Sequence, residues 1–194
     1  MDNEAENFEL RNMRDRGIIL VLADTGLRTE EVCKLRCGDV NWESKRVVLK
    51  VHGSKKEVVR FSARSIDVTK EYLRLRQILD LESGQPLSSL PLFARHDKGA
   101  GKKIKPITPT TIRRIIAESV QQILGDEATG SITPHTFLHY FVTTIMRSTG
   151  NLKLAQELAR HKNIQVTQRY AHLNDDELDK GYYEIFEKKE RHNG

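Results

Sequence analysis

His135-Thr136-Phe137-Leu138-His139-Tyr140-Phe141 and Leu158-Ala159-Arg160-His161-Lys162-Asn163-Ile164-Gln165-Val166-Thr167-Gln168-Arg169-Tyr170 set the reading of this chain. Two histidines, His135 and His161, and one tyrosine, Tyr170, stand at fixed intervals on segments with helical patterning. A histidine or a tyrosine alone is more often an ordinary structural residue.

Outward from that stretch, the chain of 194 residues is long enough for one domain with a single core. Its 38% hydrophobic and 30% charged content is that of a globular domain, not of a disordered chain. No apolar run reaches the roughly 18–20 residues of a membrane span. The start, Met1-Asp2-Asn3-Glu4, is acidic and lacks a signal-peptide core. The expectation is a cytoplasmic protein without a membrane partner. A net charge of +5 makes nucleic acid a candidate partner without deciding it. Cys33 and Cys37 lie four apart, a poor spacing for a disulfide, and read as free buried thiols. No zinc set, phosphate loop or dinucleotide fingerprint occurs, so no metal or cofactor is expected.

In chain order, residues 8–23 carry a helical periodicity (Phe8, Leu10, Met13, Ile18 to Leu22) that Asp24-Thr25-Gly26 ends. Thr29 reads as the N-cap of a second helix ending near Cys37-Gly38. Arg46–Val51 and Glu57–Phe61 read as a β-hairpin with a basic tip at Lys55 and Lys56. Ser65–Leu81 reads as a helix with Ile66, Val68, Tyr72, Leu75 and Leu79 inward and Arg74 and Arg76 outward. His96–Lys105, with two glycines and four lysines, reads as an exposed basic loop. Thr108-Pro109 opens a helix to about Leu124, and further helices follow over 135–149, 152–160 and 163–170. A last helix starts near Asn174, with Leu178, Tyr182, Ile185 and Phe186 along it, to pack on its own domain or dock on a neighbour; the tail from Lys188 is charged. The fold class is mainly α with a small antiparallel β-hairpin or sheet.

Thr25-Gly26-Leu27-Arg28-Thr29-Glu30-Glu31, the hairpin, His135, Leu158-Ala159-Arg160-His161 and Tyr170-Ala171-His172 occur in an order that resembles the catalytic domain of tyrosine recombinases, the phage-integrase and Xer-like family. The resemblance covers nearly the whole chain, 1–194, and implies the tyrosine-recombinase catalytic fold without the N-terminal domain that closes a clamp round the duplex. A fragment or a truncated relative is expected. The resemblance implies site-specific recombination of double-stranded DNA through a 3′-phosphotyrosyl intermediate, by protomers assembled as a tetramer in synapsis. Tyr170 would be the nucleophile. Arg28 would clamp the phosphate, since a planar guanidinium binds it bidentately. His135 and His161 would bond the phosphate and assist proton transfer, and Glu31 would hold the other groups in place. A hairpin lysine would protonate the leaving 5′-oxygen. Phosphate contacts are expected from Lys56, Lys102, Lys103, Lys105, Arg113 and Arg114.

Three positions depart from the family pattern. Leu138 stands where the second arginine of His-x-x-Arg belongs, and leucine cannot donate to a phosphate. Losing one such donor typically lowers the rate by about 10²–10³. His52 stands where the hairpin acid belongs, so the proton would come from His52, Lys55 or Lys56, with Lys55 favoured. Arg160 replaces a glycine before His161, either as a DNA contact or as a helix cap.

Overall fold

The helix α1, Asp2–Thr25, is the longest element of the fold, seen here in a computed structural model. The structure describes residues 2–50, 56–97 and 104–169, with the backbone alone over 2–6. The chain divides into two compact units, Met1–Val142 and Thr143–Gly194.

In the first unit α1 starts earlier than its apolar periodicity suggests, because a helix needs packing on only part of its length. Phe8 is exposed, whereas Ile18, Val21 and Leu22 are fully buried. Thr25 closes α1 and Gly26 (φ +61°) turns the chain into α2, Thr29–Lys34. The cap of α2 is Arg28, not Thr29, and α2 ends at Lys34 before a 3₁₀ turn at Cys37–Asp39. Three antiparallel strands follow in the order β1 (Val40–Asn41), β2 (Arg46–Lys50) and β3 (Lys56–Arg60). Val47 pairs with Val40 and Val59, Val48 with Val58, and Leu49 with Glu57. The hairpin is thus a three-stranded sheet, and Lys56 opens a strand instead of capping the turn.

The next helix, α3, runs Ala63–Glu82 with Ser62 as its cap, the Ser62 side chain accepting from Ser65 N. It runs antiparallel to α1, since its N-terminal Arg64 binds Asp24 at the α1 C-terminus. Here the expected faces shift: Arg76 is fully buried, Leu79 is exposed and Arg74 is exposed as expected. α4, Pro109–Leu124, has Thr108 as N-cap and Pro at its first turn, as its sequence predicts. It buries Ile112, Ile115, Ile116 and Val120. These side chains join Ile18, Leu22, Ile66, Tyr72, Val47, Leu90, Leu92 and Phe93 in one apolar core. Cys33 and Cys37 are free, the second buried, and burial pushes the Cys33 thiol up to about 12. α5, Pro134–Thr149, begins in this unit and crosses into the second.

The second unit holds the end of α5, then α6 (Leu152–Ala159) and α7 (Ile164–Gln168). Gly150 (φ +60°) stops α5; Asn151 and Asn163 cap the next two, accepting from Leu154 N and Gln165 N at 2.9 Å each. Ala155 and Ala159 face inward. The expected helix from Asn174 and the tail lie outside the described residues. No described helix is long and apolar enough to cross a membrane.

Candidate active site

The Gly26–Glu31 turn anchors the candidate residues of the first unit. Glu31 reaches back over one helical turn and accepts from Arg28 N at 2.7 Å, while its other oxygen stands 3.7 Å from Arg28 Nη1. Glu31 therefore fixes both the backbone and the direction of the Arg28 side chain, which is half exposed. A guanidinium at a helix N-terminus opposes the helix dipole, and Glu31 offsets that cost. Thr25 Oγ1 accepts from Leu27 N at 3.1 Å and donates to Val21 O at 2.6 Å, which locks the turn from within.

α5 lies against this turn. A Cβ placed on Gly26 would meet Phe141 Cδ1 at 2.6 Å and Leu138 Cδ1 at 3.2 Å. Gly26 thus serves two needs, a left-handed backbone and a close helix approach. Leu138 is buried, its δ-methyl against Gly26. His135 and His139 lie one helical turn apart on α5, and both are exposed. The structure brings Arg28, Glu31 and Leu138 together around Gly26. Beside them Asp24 accepts from Arg64 Nε (2.7 Å), Arg64 Nη2 and Ser62 Oγ. Burial pushes the Asp24 carboxyl up, but the hydrogen bonds from Arg64 and Ser62 win and hold it low. Arg64 also interacts with Tyr140 on α5. Asp24, Arg64 and Tyr140 carry no motif spacing in the sequence, so only the fold unites them.

In the second unit His161 is buried, and its Nδ1 stands 2.9 Å from the Thr167 hydroxyl, itself fully buried. Its backbone is held twice: His161 N donates to Gln156 O (3.1 Å), and Gln156 Nε2 donates to His161 O (3.1 Å). Arg160 adopts a left-handed conformation (φ 58°, ψ 35°) as the C-cap of α6. Thr167 was not singled out by sequence. Its spacing six residues after His161 becomes meaningful only once α6 and α7 are in place.

Tyr170, His52, Lys55, Lys102 and Lys103 lie outside the described residues. Of the other expected DNA contacts, Lys56 and Lys105 are exposed. Arg113 pairs with Glu30 at 3.7 Å and Arg114 with Glu118 at 2.8 Å, both at the surface. Among the described residues no group of three or more His, Cys, Asp or Glu side chains could hold a metal ion.

Comparison with known proteins gives the geometry a context. The chain is 30% identical over 170 residues to the tyrosine recombinase XerC of Bacillus licheniformis, covering 87% of this chain and 52% of that protein. It is 28% identical over 161 residues to the XerC of Thermodesulfovibrio yellowstonii, covering 83% and 50%. The chain therefore spans about half the length of the curated relatives it matches. The crystal structure of XerA recombinase superposes with a TM-score of 0.68 at 25% identity, over 94% of this chain and 62% of that one. The XerH recombinase bound to its difH substrate before cleavage shares the fold, with a TM-score of 0.68 at 21% identity, over 88% and 46%. The model of the phage integrase family matches residues 2–177, and the chain belongs to that family.

Proposed function

We propose that this chain breaks and rejoins double-stranded DNA at specific sites, with Tyr170 as nucleophile, acting in the cytoplasm as one protomer of a tetramer. The observation that carries the reading is order. The Thr25–Glu31 turn, His135 and the Arg160-His161…Tyr170 run follow one another inside a family match over residues 2–177.

Attack of the Tyr170 oxygen on phosphorus, its phenol proton passing to a site histidine, forms a 3′-phosphotyrosyl bond and expels the 5′-oxygen, which takes a proton from the hairpin acid. Lys55 is favoured for that role over His52 and Lys56. The return attack of a 5′-hydroxyl on the phosphotyrosine rejoins the strand and releases Tyr170. Negative charge grows on the non-bridging oxygens, so preorganised cationic donors matter most. Arg28, aimed by Glu31, is one such donor. His135 and His161 are the others; a Thr167 hydroxyl that donates to Nδ1 leaves the His161 proton on Nε2, the form that donates to a phosphoryl oxygen. Lys56, Lys102, Lys103, Lys105, Arg113, Arg114 and Arg160 hold the flanking backbone.

Leu138 favours a second reading, a relative that holds DNA but cuts it poorly, because its buried methyls offer no donor beside Gly26. A duplex nicked near the cleavage point, from which the short 5′ strand diffuses away, traps the covalent intermediate. The first reading expects an adduct mapped to Tyr170 by peptide sequencing and lost in Tyr170→Phe. Stable binding of the same duplex without adduct would select the second, and an adduct on another residue would sink the assignment of Tyr170.

A further inference from the structure

The outward face of the sheet carries an arrangement that folding alone does not favour. The β2–β3 register sets Arg46 directly opposite Arg60 and Lys50 directly opposite Lys56. Between these rungs Val48 faces Val58. Side chains alternate across a strand, so Arg46, Val48 and Lys50 share one face with Lys56, Val58 and Arg60. That face is the open one, with all four cations exposed. Val47, Leu49 and Val59 fill the opposite face and are buried. The acid of β3, Glu57, lies opposite Leu49 and so belongs to the other face. Asp39 stands 3.9 Å from Lys50, a surface pair at the limit of contact that leaves the clustering of charge intact.

Like charges directly opposite on a ribbon destabilise it. Two such rungs in five residues of each strand form an exposed row of positive charge that an anion would relieve, and a duplex backbone supplies a row of anions. The rungs stand roughly 13 Å apart (four residues at about 3.3 Å each). That is about the axial rise of four nucleotides along one strand. We propose that this face of the sheet, through Arg46, Lys50, Lys56 and Arg60, is a phosphate-binding platform for duplex DNA. Its Val48 and Lys50 share a cavity with Glu30 and Glu31 of α2, and it adds Arg46, Lys50 and Arg60 to the contacts named above. The proposal rests on the DNA reading and extends it.

The test is the salt dependence of binding of the full chain to a fluorescent duplex. Arg46→Gln/Arg60→Gln should flatten the slope of log affinity against log salt by roughly 2, and Lys50→Gln/Lys56→Gln by a similar amount. Arg46→Lys/Arg60→Lys should restore it, since charge is what the phosphate reads. The thermal midpoint of each Gln pair should hold or rise, because a repulsive rung is gone. Loss of affinity without loss of stability is the signature that a merely structural role would not give. A steep wild-type slope that both Gln pairs leave unchanged overturns the platform and spares the DNA reading. No binding by the wild-type chain at low salt overturns the DNA reading first, and the platform with it.

Discussion

Arg76 and Arg28 are two guanidiniums in the same unit with opposite fates. Arg76, on α3, is fully buried, and each nitrogen is engaged: Nε donates to Asp80 (2.8 Å), Nη1 to the Tyr72 hydroxyl (3.1 Å) and Leu92 O (3.2 Å), and Nη2 reaches Cys37 Sγ (3.7 Å). Its guanidinium also lies 5.1 Å from the centre of the Tyr72 ring. Tyr72 passes the network on, accepting from Ala94 N (3.1 Å) and bonding His96 Nε2 (2.7 Å). Arg28 is half exposed and is met by a carboxylate at 3.7 Å. A buried cation must be fully partnered or the fold is lost. A cation that binds a ligand must keep donors available, so the fold aims it without consuming it. The same side chain is a strut in one place and, at Arg28, keeps its donors half exposed, as the proposed phosphate clamp requires.

The widest separation between the two should come from truncation. Arg76→Ala leaves Asp80, the Tyr72 hydroxyl and Leu92 O without their donor, and denaturant unfolding should lose about 3–5 kcal/mol. Arg28→Ala should stay within about 0.5 kcal/mol of the parent chain, while adduct formation on the nicked duplex collapses. Equal stability losses for the two would break the comparison.

Leu138 is the inverse of Arg76: an apolar side chain where the resemblance to the His-x-x-Arg motif leads one to expect a guanidinium. Leu138→Arg supplies a donor beside Gly26 and should raise the rate of adduct formation by about 10²–10³, roughly 3–4 kcal/mol of barrier. The lost packing against Gly26 should cost about 1–3 kcal/mol of stability. A rate unchanged by the substitution, with Arg28→Ala still inactivating, would mean that one clamp suffices.

How much of this was legible in the sequence follows from the range of each interaction. Thr108-Pro109 predicts the start of α4 because a cap and a first-turn proline act within three residues. The Gly26 turn was legible for the same reason. Arg76 was misplaced on the outer face because its acceptors, Leu92 O and Cys37 Sγ, come from distant parts of the chain. Helical periodicity sorts charged residues to solvent and has no means of seeing a partner brought in by the fold. β1 was invisible because two residues make a strand only by pairing, here Val40 with Val47 and Asn41 with Arg46. At the site, the sequence told that Leu138 lacks a donor; that its methyl fills the space beside Gly26 needed the structure.

The buried network also sets a pH response. Burial, then the charges of Arg14, Arg76 and Arg11, push His96 down to about 3 from an ordinary 6.5. Between about 6.5 and about 3 the unfolded chain takes up a proton that the folded chain refuses. Stability should therefore fall as pH drops through that window, by at most about 1.4 kcal/mol per pH unit. Asp15 and Asp80, raised mainly by burial, work in the opposite sense, so the measurement is a difference. Thermal midpoints of the parent chain and His96→Gln should converge as pH falls from neutral. Parallel curves would show that His96 charges in place.

The smallest effect concerns Arg160, a third guanidinium residue whose backbone carries the information. Arg160 N meets Glu157 O at 3.2 Å and His161 N meets Gln156 O at 3.1 Å, the paired bonds of a helix end closed by a left-handed residue. Glycine is the favoured occupant there, and the family motif has it. A non-glycine residue at φ 58° is held at a cost of about 1–2 kcal/mol, against about 0.5–1 kcal/mol for the greater freedom of glycine when unfolded. Arg160→Gly should thus stabilise the second unit by up to about 1 kcal/mol while leaving the turn that presents His161 intact. If Arg160 is retained for its charge, the same variant should flatten the salt slope of DNA binding by about 1. A gain in stability with no change of slope would sink the phosphate contact, because the strained backbone would then have no compensating role for the charge.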